Sequence, residues 1–131
     1  MIYVDSNVPM YLVGSEHPNK HRVIELVSQL LTAREQLVTS AETFQEILHR
    51  YRGLGDRDHL TAAYEALETM VSLTVDITKG DVDQARAATG RYPELSSRDC
   101  LHVAAMRRLE CTTIWSYDKG FDVVSAIQRI A

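Results

Sequence analysis

Two aspartates of this chain come directly after short apolar segments, where strands of a parallel sheet often present catalytic groups. The segment 1–4 runs into Asp5, and the segment 112–115 leads to Asp118. In an open parallel sheet, ligands bind in the crevice beyond the carboxyl ends of the strands. We therefore expect Asp5 and Asp118 to lie close together at one edge of such a sheet.

Two further acids are predicted to approach the same edge. Asp99 begins a helix, and Glu46 lies in the helix that follows the second predicted strand. Converging carboxylates repel one another in a low-dielectric crevice, and a hard divalent cation removes that conflict. Oxygen ligands suit Mg²⁺, and Mn²⁺ accepts the same ligands. Such a site is suited to phosphodiester hydrolysis without a protein nucleophile.

Ordinary structural roles remain open for the three aspartates. Asp5 at a strand end can cap the following turn, and Asp118 resembles a common turn aspartate. Asp99 stands three residues after Ser96, where an acid stabilises the first turn of a helix through its dipole. These alternatives do not require any metal.

The two glutamates of the third predicted helix also have simple explanations. Glu42 has the spacing of a capping box with Thr39 as the N-cap. Glu46 falls opposite the apolar stripe formed by Phe44, Leu48 and Tyr51, which predicts a solvated side chain. Periodicity alone therefore does not select Glu46 as a functional residue.

The remaining pattern alternates strands with helices. Strands are predicted over residues 1–4, 36–39, 72–75 and 112–115 and near Ile127. Helices are predicted over residues 8–13, from 17 to about 31, from 40 to about 52, and over 59–71, 79–89 and 97–109. This order predicts an α/β fold, a three-layer α/β/α sandwich with a central parallel sheet. We expect a single domain over residues 1–131.

Composition narrows the class of protein. The formal net charge of −4 argues against a general nucleic-acid binder, although a local basic rim around an acidic site remains compatible with it. Two cysteines are too few for a disulfide scaffold, and no apolar run is long enough to span a bilayer. The N-terminus lacks the pattern of a secretion signal. We expect a cytoplasmic protein without membrane contact.

Four segments of the chain combine the candidate residues with apolar strands and helix starts: Ile2–Val8, Val38–Ile47, Arg98–Ala105 and Ile114–Phe121. Taken together, they resemble the motifs of PIN-domain ribonucleases, in particular the VapC-type toxins, and they occur in the family's order across nearly the whole chain. Each motif alone has low specificity, whereas the ordered set in a chain of this length is fairly specific. Ser6 stands where threonine is more usual in the family, so a hydroxyl is kept.

The resemblance implies a metal-dependent endoribonuclease. It assigns catalytic roles to Asp5, Glu46, Asp99 and Asp118, with Mg²⁺ or Mn²⁺ held by the three aspartates. Ser6 and Ser116 would support the metal ligands, and Glu46 would ligate the ion or orient its water. Asp122 is a candidate for an outer carboxylate.

The resemblance also implies partners. VapC-type toxins usually form homodimers and are inhibited by a VapB-type antitoxin whose C-terminal segment covers the acidic pocket, often with a basic side chain. An acidic protein with an acidic cleft is suited to a basic peptide. RNA would be the substrate.

Three other groups of residues allow functional hypotheses. Arg50 and Arg52 belong to a basic helix end that can grip RNA phosphates, although a solvated helix terminus explains them equally. His17 and His21 have zinc-ligand spacing but no third ligand nearby. His102, one turn after Asp99, is expected to be a packed histidine rather than a residue of the pocket rim.

Two other classes of protein remain open. One is a catalytically silent PIN fold that binds RNA or protein, and divalent-metal binding that depends on Asp5 would discriminate against it. The other is a receiver-like phosphoacceptor domain, which the sequence disfavours because an adjacent acidic pair is missing and Lys119 follows an aspartate.

Overall fold

A five-stranded sheet forms the centre of the protein, whose computed structural model describes all 131 residues. Its strands are β1 (Ile2–Val4), β2 (Leu37–Ser40), β3 (Leu73–Val75), β4 (Thr113–Trp115) and β5 (Gln128–Ile130). They are ordered β3-β2-β1-β4-β5, and every neighbouring pair is parallel. The parallel sheet predicted from the sequence is therefore confirmed, with strand positions displaced by about one residue.

Six helices connect the strands. They are α1 (Asn7–Val13), α2 (Pro18–Thr32), α3 (Ala41–Leu54), α4 (Arg57–Met70), α5 (Lys79–Arg91) and α6 (Ser97–Arg108), and a short 3₁₀ helix spans Lys119–Val123. None of these helices is long and apolar enough to cross a membrane. Helix α3 ends at Gly55, whose φ of +66° is a left-handed conformation that glycine adopts without a Cβ penalty.

The period-two pattern of the strands divides the core between the two faces of the sheet. On β1, Tyr3 packs in a cluster with side chains of α5 and α6. Its neighbours Ile2 and Val4 point to the opposite face and pack with side chains of α1 to α4. The result is a three-layer α/β/α sandwich, as the sequence predicts.

The start of α3 differs from the prediction. Ser40 rather than Thr39 is the N-cap, and no side chain caps the helix. The Thr39 hydroxyl donates to the Val4 carbonyl at 2.8 Å and contacts the Thr43 hydroxyl at 2.7 Å, so it joins β2 to β1. The predicted capping box with Glu42 is therefore wrong, because Thr39 still belongs to the strand. A true capping box occurs instead between Thr78 and Asp81 at α5.

The chain order creates a switch point at the middle of the sheet. From β1 the chain extends to β2 and β3 on one side, whereas β4 and β5 lie on the other side. Loops that leave β1 and β4 therefore diverge to opposite faces, which opens a crevice at their carboxyl ends. Asp5 follows β1 and Ser116 follows β4, so both lie at this crevice.

Helices α5 and α6 are joined by a partly buried ion pair. The Arg108 guanidinium donates to both carboxylate oxygens of Asp81, at 3.0 and 2.9 Å, and to the Asp76 carbonyl at 2.6 Å. Asp81 is 3% exposed. The hydrogen bond from Arg108 is the main cause that lowers the pKa of Asp81, although burial opposes it.

Asp81→Asn is expected to lower the free energy of unfolding at pH 7 by about 2 kcal/mol, because hydrogen bonds to a charged group are lost. Since the pKa of Asp81 is lower in the folded state, its contribution is present above the unfolded value near 3.8 and disappears as pH falls through the folded value. Urea denaturation at several pH values measures this difference. Asp83→Asn, on the exposed side of α5, is the matched control; an equal loss in both variants, or a loss independent of pH, would contradict the assignment.

Candidate active site

Asp5 is held in a fixed orientation at the carboxyl end of β1. The residue is only 5% exposed. Its Oδ1 accepts a hydrogen bond from the Ser6 amide at 2.7 Å, and its Oδ2 accepts one from the Ser116 hydroxyl at 2.6 Å. The Asn7 side-chain amide adds a contact to Oδ2 at 3.3 Å. The carboxylate is thus oriented by residues from both sides of the crevice.

Asn7 joins the loops after β1 and β4. Its amide group donates to the Ser116 hydroxyl at 3.4 Å, and its oxygen accepts a hydrogen bond from the Tyr117 backbone at 3.2 Å. The Asp118 backbone also donates to the Ser116 hydroxyl, at 3.0 Å. Ser116 is therefore the common contact of Asp5, Asn7 and Asp118, and the geometry is compatible with its predicted supporting role.

Glu46 points into the crevice from α3. Its Oε1 is hydrogen-bonded to His102 Nε2, and its Oε2 accepts a hydrogen bond from the Ser6 hydroxyl at 3.3 Å. The side chain is 17% exposed. The interpretation of Glu46 as a solvated glutamate is wrong, because the face opposite the apolar stripe is turned toward the crevice.

His102 lies beneath the acids and is completely buried. Its Nε2 is 3.8 Å from Asp5 Oδ1, and its Nδ1 is 2.7 Å from the Tyr3 hydroxyl. Ligand atoms of Asp5, Glu46 and His102 all lie within 4.8 Å of one another. His102 is packed, as expected, but it is packed directly against the acidic cluster.

Asp99 and Asp118 lie outside the cluster of converging ligand atoms that Asp5, Glu46 and His102 form. Asp99 lies half-buried in the first turn of α6, and its amide donates to the Ser96 hydroxyl at 3.1 Å. Asp118 is exposed and caps the 3₁₀ helix, with its Oδ1 accepting from the Gly120 amide at 2.8 Å. Burial raises the pKa of Asp99, and the charges of Asp118 and Asp5 raise it further, although His102 partly offsets the shift. Asp99 is therefore near enough to Asp118 and Asp5 for their charges to raise its pKa.

The acids of the cluster differ in how readily they ionise. Burial raises the pKa of Asp5, and the charge of Glu46 adds to that effect against His102 and Ser116. Burial also acts to raise the pKa of Glu46, but the hydrogen bond and charge of His102 outweigh it and lower the pKa below its ordinary value. For His102, burial opposes the charged ring, but Tyr3, Glu46 and Asp5 raise its pKa well above the usual value. The crevice thus concentrates negative charge that one buried histidine compensates in part.

Two other carboxylates near the crevice have separate partners. Glu42 lies 3.9 Å from the Arg98 side chain, and burial raises its pKa. Asp122 accepts two hydrogen bonds from Arg129, at 2.8 and 3.1 Å. Neither belongs to the cluster of converging ligand atoms. The proposed zinc pair is also explained, because His17 caps α2 and His21 pairs with Glu16.

A polar cavity of about 570 Å³ opens beside Glu46 between α1 and α3. Arg50, Arg98, His49 and Tyr11 contribute to its lining, together with Ser6 and Asn7 from the crevice. Arg52 lies exposed in the last turn of α3 and does not line it. The cavity therefore combines positive charge and an aromatic ring directly next to the acids.

Sequence reasoning did not single out Tyr3, Asn7 or Ser40. Asn7 contacts Asp5, Tyr3 contacts His102, and Ser40 contacts Tyr3. Tyr3, for example, contacts the Ser40 hydroxyl at 2.6 Å, 37 positions away along the chain. The one available signal was the position of His102, a helical turn after Asp99.

Comparison with known proteins identifies the family and the fold. The PIN-domain family model matches residues 2–127. Ribonuclease VapC13 of Mycobacterium tuberculosis is 44% identical over 131 residues, which are 100% of both chains. Among solved structures, VapC20 of the same species, described as a sarcin-ricin loop cleaving toxin, has a TM-score of 0.73 at 21% identity over 94% of each chain. VapBC2 from Rickettsia felis, bound to a promoter DNA fragment, has a TM-score of 0.71 at 11% identity over 99% of this chain and 98% of that one.

Proposed function

Because the chain belongs to the PIN-domain family and to its VapC-type ribonucleases, we propose that it is a toxin endoribonuclease that uses Mg²⁺ or Mn²⁺. The observation that supports this most directly is the crevice at the switch point of the sheet. There ligand atoms of Asp5, Glu46 and His102 converge within 4.8 Å, and the charges of Asp5 and Asp118 help to raise the pKa of Asp99. The chain would act on RNA in the cytoplasm.

The donor atoms of the crevice fit a hard divalent cation. Asp5 and Glu46 supply converging carboxylate oxygens, which Mg²⁺ and Mn²⁺ prefer, and His102 contributes the one nitrogen of the cluster. Asp5, Asp99 and Asp118 would hold the ion, with Glu46 as a further ligand or as the residue that orients water. When bound, the cation polarises the phosphodiester and offsets the developing charge.

The chain's own residues would orient the reactants. The hydroxyls of Ser116 and Ser6 fix Asp5 and Glu46 at 2.6 and 3.3 Å, so the carboxylates need little reorganisation when the substrate arrives. Glu46 has a lowered pKa and is ionised at neutral pH, so it can accept a hydrogen bond from the attacking water. Attack breaks the phosphorus–oxygen bond to the leaving ribose, in line with the incoming oxygen.

The cavity beside Glu46 would receive the RNA strand. Arg50 and Arg98 can contact phosphates, and Tyr11 offers a ring for stacking. Arg52 lies two residues further along α3, exposed to solvent, and remains a proposed second phosphate contact. These arginines supply positive charge beside the crevice of a protein whose formal net charge is −4.

Arg50→Ala is expected to raise KM for RNA about fivefold and to leave kcat within about twofold, because a phosphate contact contributes to substrate and transition state alike. Steady-state cleavage of a labelled RNA measures both constants. Arg86→Ala, on the exposed side of α5, removes the same charge away from the cavity and serves as the control. A change in kcat alone would contradict a binding role for Arg50.

A VapB-type antitoxin is the proposed partner of the acidic crevice. A solved neighbour, VapBC2 of Rickettsia felis, carries both components in its name. A basic C-terminal segment of the antitoxin would complement the crevice and compete with RNA. We also propose a homodimer, by analogy with the family.

The proposal is tested with purified protein freed of metal by EDTA. Wild-type protein should show a thermal shift on addition of Mn²⁺ and should cleave RNA only when Mn²⁺ or Mg²⁺ is present. Absence of both the Mn²⁺ thermal shift and RNA cleavage would favour the silent PIN fold. Cleavage that persists in EDTA would contradict the metal-dependent mechanism.

A further inference from the structure

A continuous chain of buried hydrogen bonds runs from the sheet to Glu46. The Ser40 hydroxyl is 2.6 Å from the Tyr3 hydroxyl, which is 2.7 Å from His102 Nδ1, and His102 Nε2 is bonded to Glu46. Ser40, Tyr3 and His102 are all 0% exposed. This series of hydrogen bonds connects β2, β1, α6 and α3, and each of these four elements contributes one residue.

The hydrogen-bond partners define which ring nitrogen bears a hydrogen. An ionised Glu46 carboxylate can only accept hydrogen bonds, so the Nε2 that it contacts must be the donor. A bare Nε2 would instead place lone pairs of the ring against the carboxylate. The Tyr3 hydroxyl can donate to Nδ1 of a neutral ring or accept from a charged one, and Ser40 can adapt to either direction. In both states, Nε2 carries its hydrogen toward Glu46.

Glu46 is therefore held through both of its oxygens. Oε1 accepts from His102, whereas Oε2 accepts from the Ser6 hydroxyl at 3.3 Å. A glutamate side chain on a helix has several rotatable bonds, and two fixed contacts remove most of that freedom. His102 is in turn anchored through Tyr3 to β1, the central strand of the sheet.

We propose that His102 is a positioning residue that orients the Glu46 carboxylate through Nε2–H, and that it is not itself a metal ligand. The proximity of Asp5, Glu46 and His102 would otherwise suggest a mixed nitrogen and oxygen metal site. A nitrogen that donates to Glu46 has no lone pair for a cation. This inference rests on the proposed function, because it assigns to Glu46 the role of metal ligand or water-orienting base.

Nitrogen NMR of the metal-free protein tests the hydrogen bond without relying on activity. Long-range ¹H–¹⁵N spectra of ¹⁵N-histidine protein should show a protonated Nε2 in His102, and this signal should persist when Mg²⁺ is added. A bare Nε2, or loss of its hydrogen on addition of Mg²⁺, would overturn the inference in favour of direct ligation. The ring signals of the exposed His21 provide an internal reference.

Variants test the consequence for the site. His102→Leu is expected to weaken Mn²⁺ binding by calorimetry and to lower kcat by about 10- to 100-fold, with KM within twofold, as is typical when a ligand's supporting contact is lost. His102→Gln, whose amide can still donate to Glu46, should recover most of this loss. Equal Mn²⁺ affinity and kcat in wild type and His102→Leu would overturn the proposal.

Tyr3→Phe keeps the core volume and removes only the hydroxyl, so it covers the case in which His102→Leu does not fold. It should lower kcat about threefold to tenfold. Tyr64→Phe, on the exposed side of α4, should leave kcat unchanged. Equal kcat in the two variants would count against the proposed role of the Tyr3–His102 hydrogen bond. If wild-type protein bound no Mn²⁺, the proposed function would fail, while the NMR spectrum would still decide the His102–Glu46 bond.

Discussion

Asp5→Asn is expected to lower metal-dependent RNA cleavage by at least about 10³-fold, which corresponds to about 4 kcal/mol of transition-state stabilisation. Asp5 is the most buried of the four proposed acids and belongs to the cluster of converging ligand atoms. The substitution keeps the shape of the side chain but removes the negative charge that would hold the cation. The same variant should lose the thermal shift on addition of Mn²⁺.

The matched control for Asp5 is Asp83→Asn, which removes one carboxylate from the exposed surface of α5. It should cleave RNA and bind Mn²⁺ like the wild type. Circular dichroism and unfolding in EDTA establish that Asp5→Asn is folded. A folded Asp5→Asn protein with undiminished cleavage would contradict the central role of this residue.

Asp99→Asn is expected to lower cleavage by a similar factor, about 10³-fold, while leaving the metal-free fold intact. Burial raises the pKa of Asp99, and Asp118 and Asp5 add to the shift, so its ionised form is unfavourable in the folded protein. A raised pKa means that ionisation costs stability as pH rises above the unfolded value near 3.8. Removing the charge should therefore not reduce the free energy of unfolding at pH 7 in EDTA.

This result separates the proposed role of Asp99 from that of an ordinary first-turn acid. An acid that only complements the helix dipole would contribute about 0.3–1 kcal/mol to stability and nothing to cleavage. Asp58→Asn is the matched control, because Asp58 is an exposed first-turn acid of α4. Destabilisation of Asp99→Asn equal to that of Asp58→Asn, together with normal cleavage, would show that Asp99 is only a structural residue.

The fold follows from the sequence because its signals are local and repeated. Apolar segments of strand length alternate with helical stripes, and that order leads to a parallel sheet between two helical layers. Asp5 and Asp118 could be placed from the same argument, since strand ends meet at one edge of the sheet. The sequence also places Asp99 at the start of a helix, three residues after Ser96, and the Ser96 hydroxyl does accept from the Asp99 amide.

The rest of the site depends on tertiary contacts that no periodicity encodes. The helical wheel of α3 predicts a solvated Glu46, because it shows only which side of the helix avoids the core. The opposite side faces the crevice, where His102 from α6 meets it 56 positions away along the chain. The error at Glu42 has a similar origin, because Thr39 remains in β2 through its bond to Val4 and cannot cap α3.

The switch point explains why these residues meet at all. Strand β1 lies between β2 and β4, so its carboxyl end borders loops that lead to both faces of the sheet. Asp5 takes contacts from the loop after β4 through Ser116, and Glu46 takes contacts from the loop after β1 through Ser6. A shift of the loop after β4 would therefore change the orientation of Asp5, and a shift of the loop after β1 would change that of Glu46.

The most direct test of the metal-dependent endoribonuclease is sequencing of RNA ends after brief expression in cells that lack the antitoxin. Wild-type protein is predicted to produce a small set of defined new ends, and these should be missing when Asp5→Asn is expressed at the same level. Their sequences would also identify the target RNA. Identical ends in the two samples would contradict cleavage at the Asp5 site.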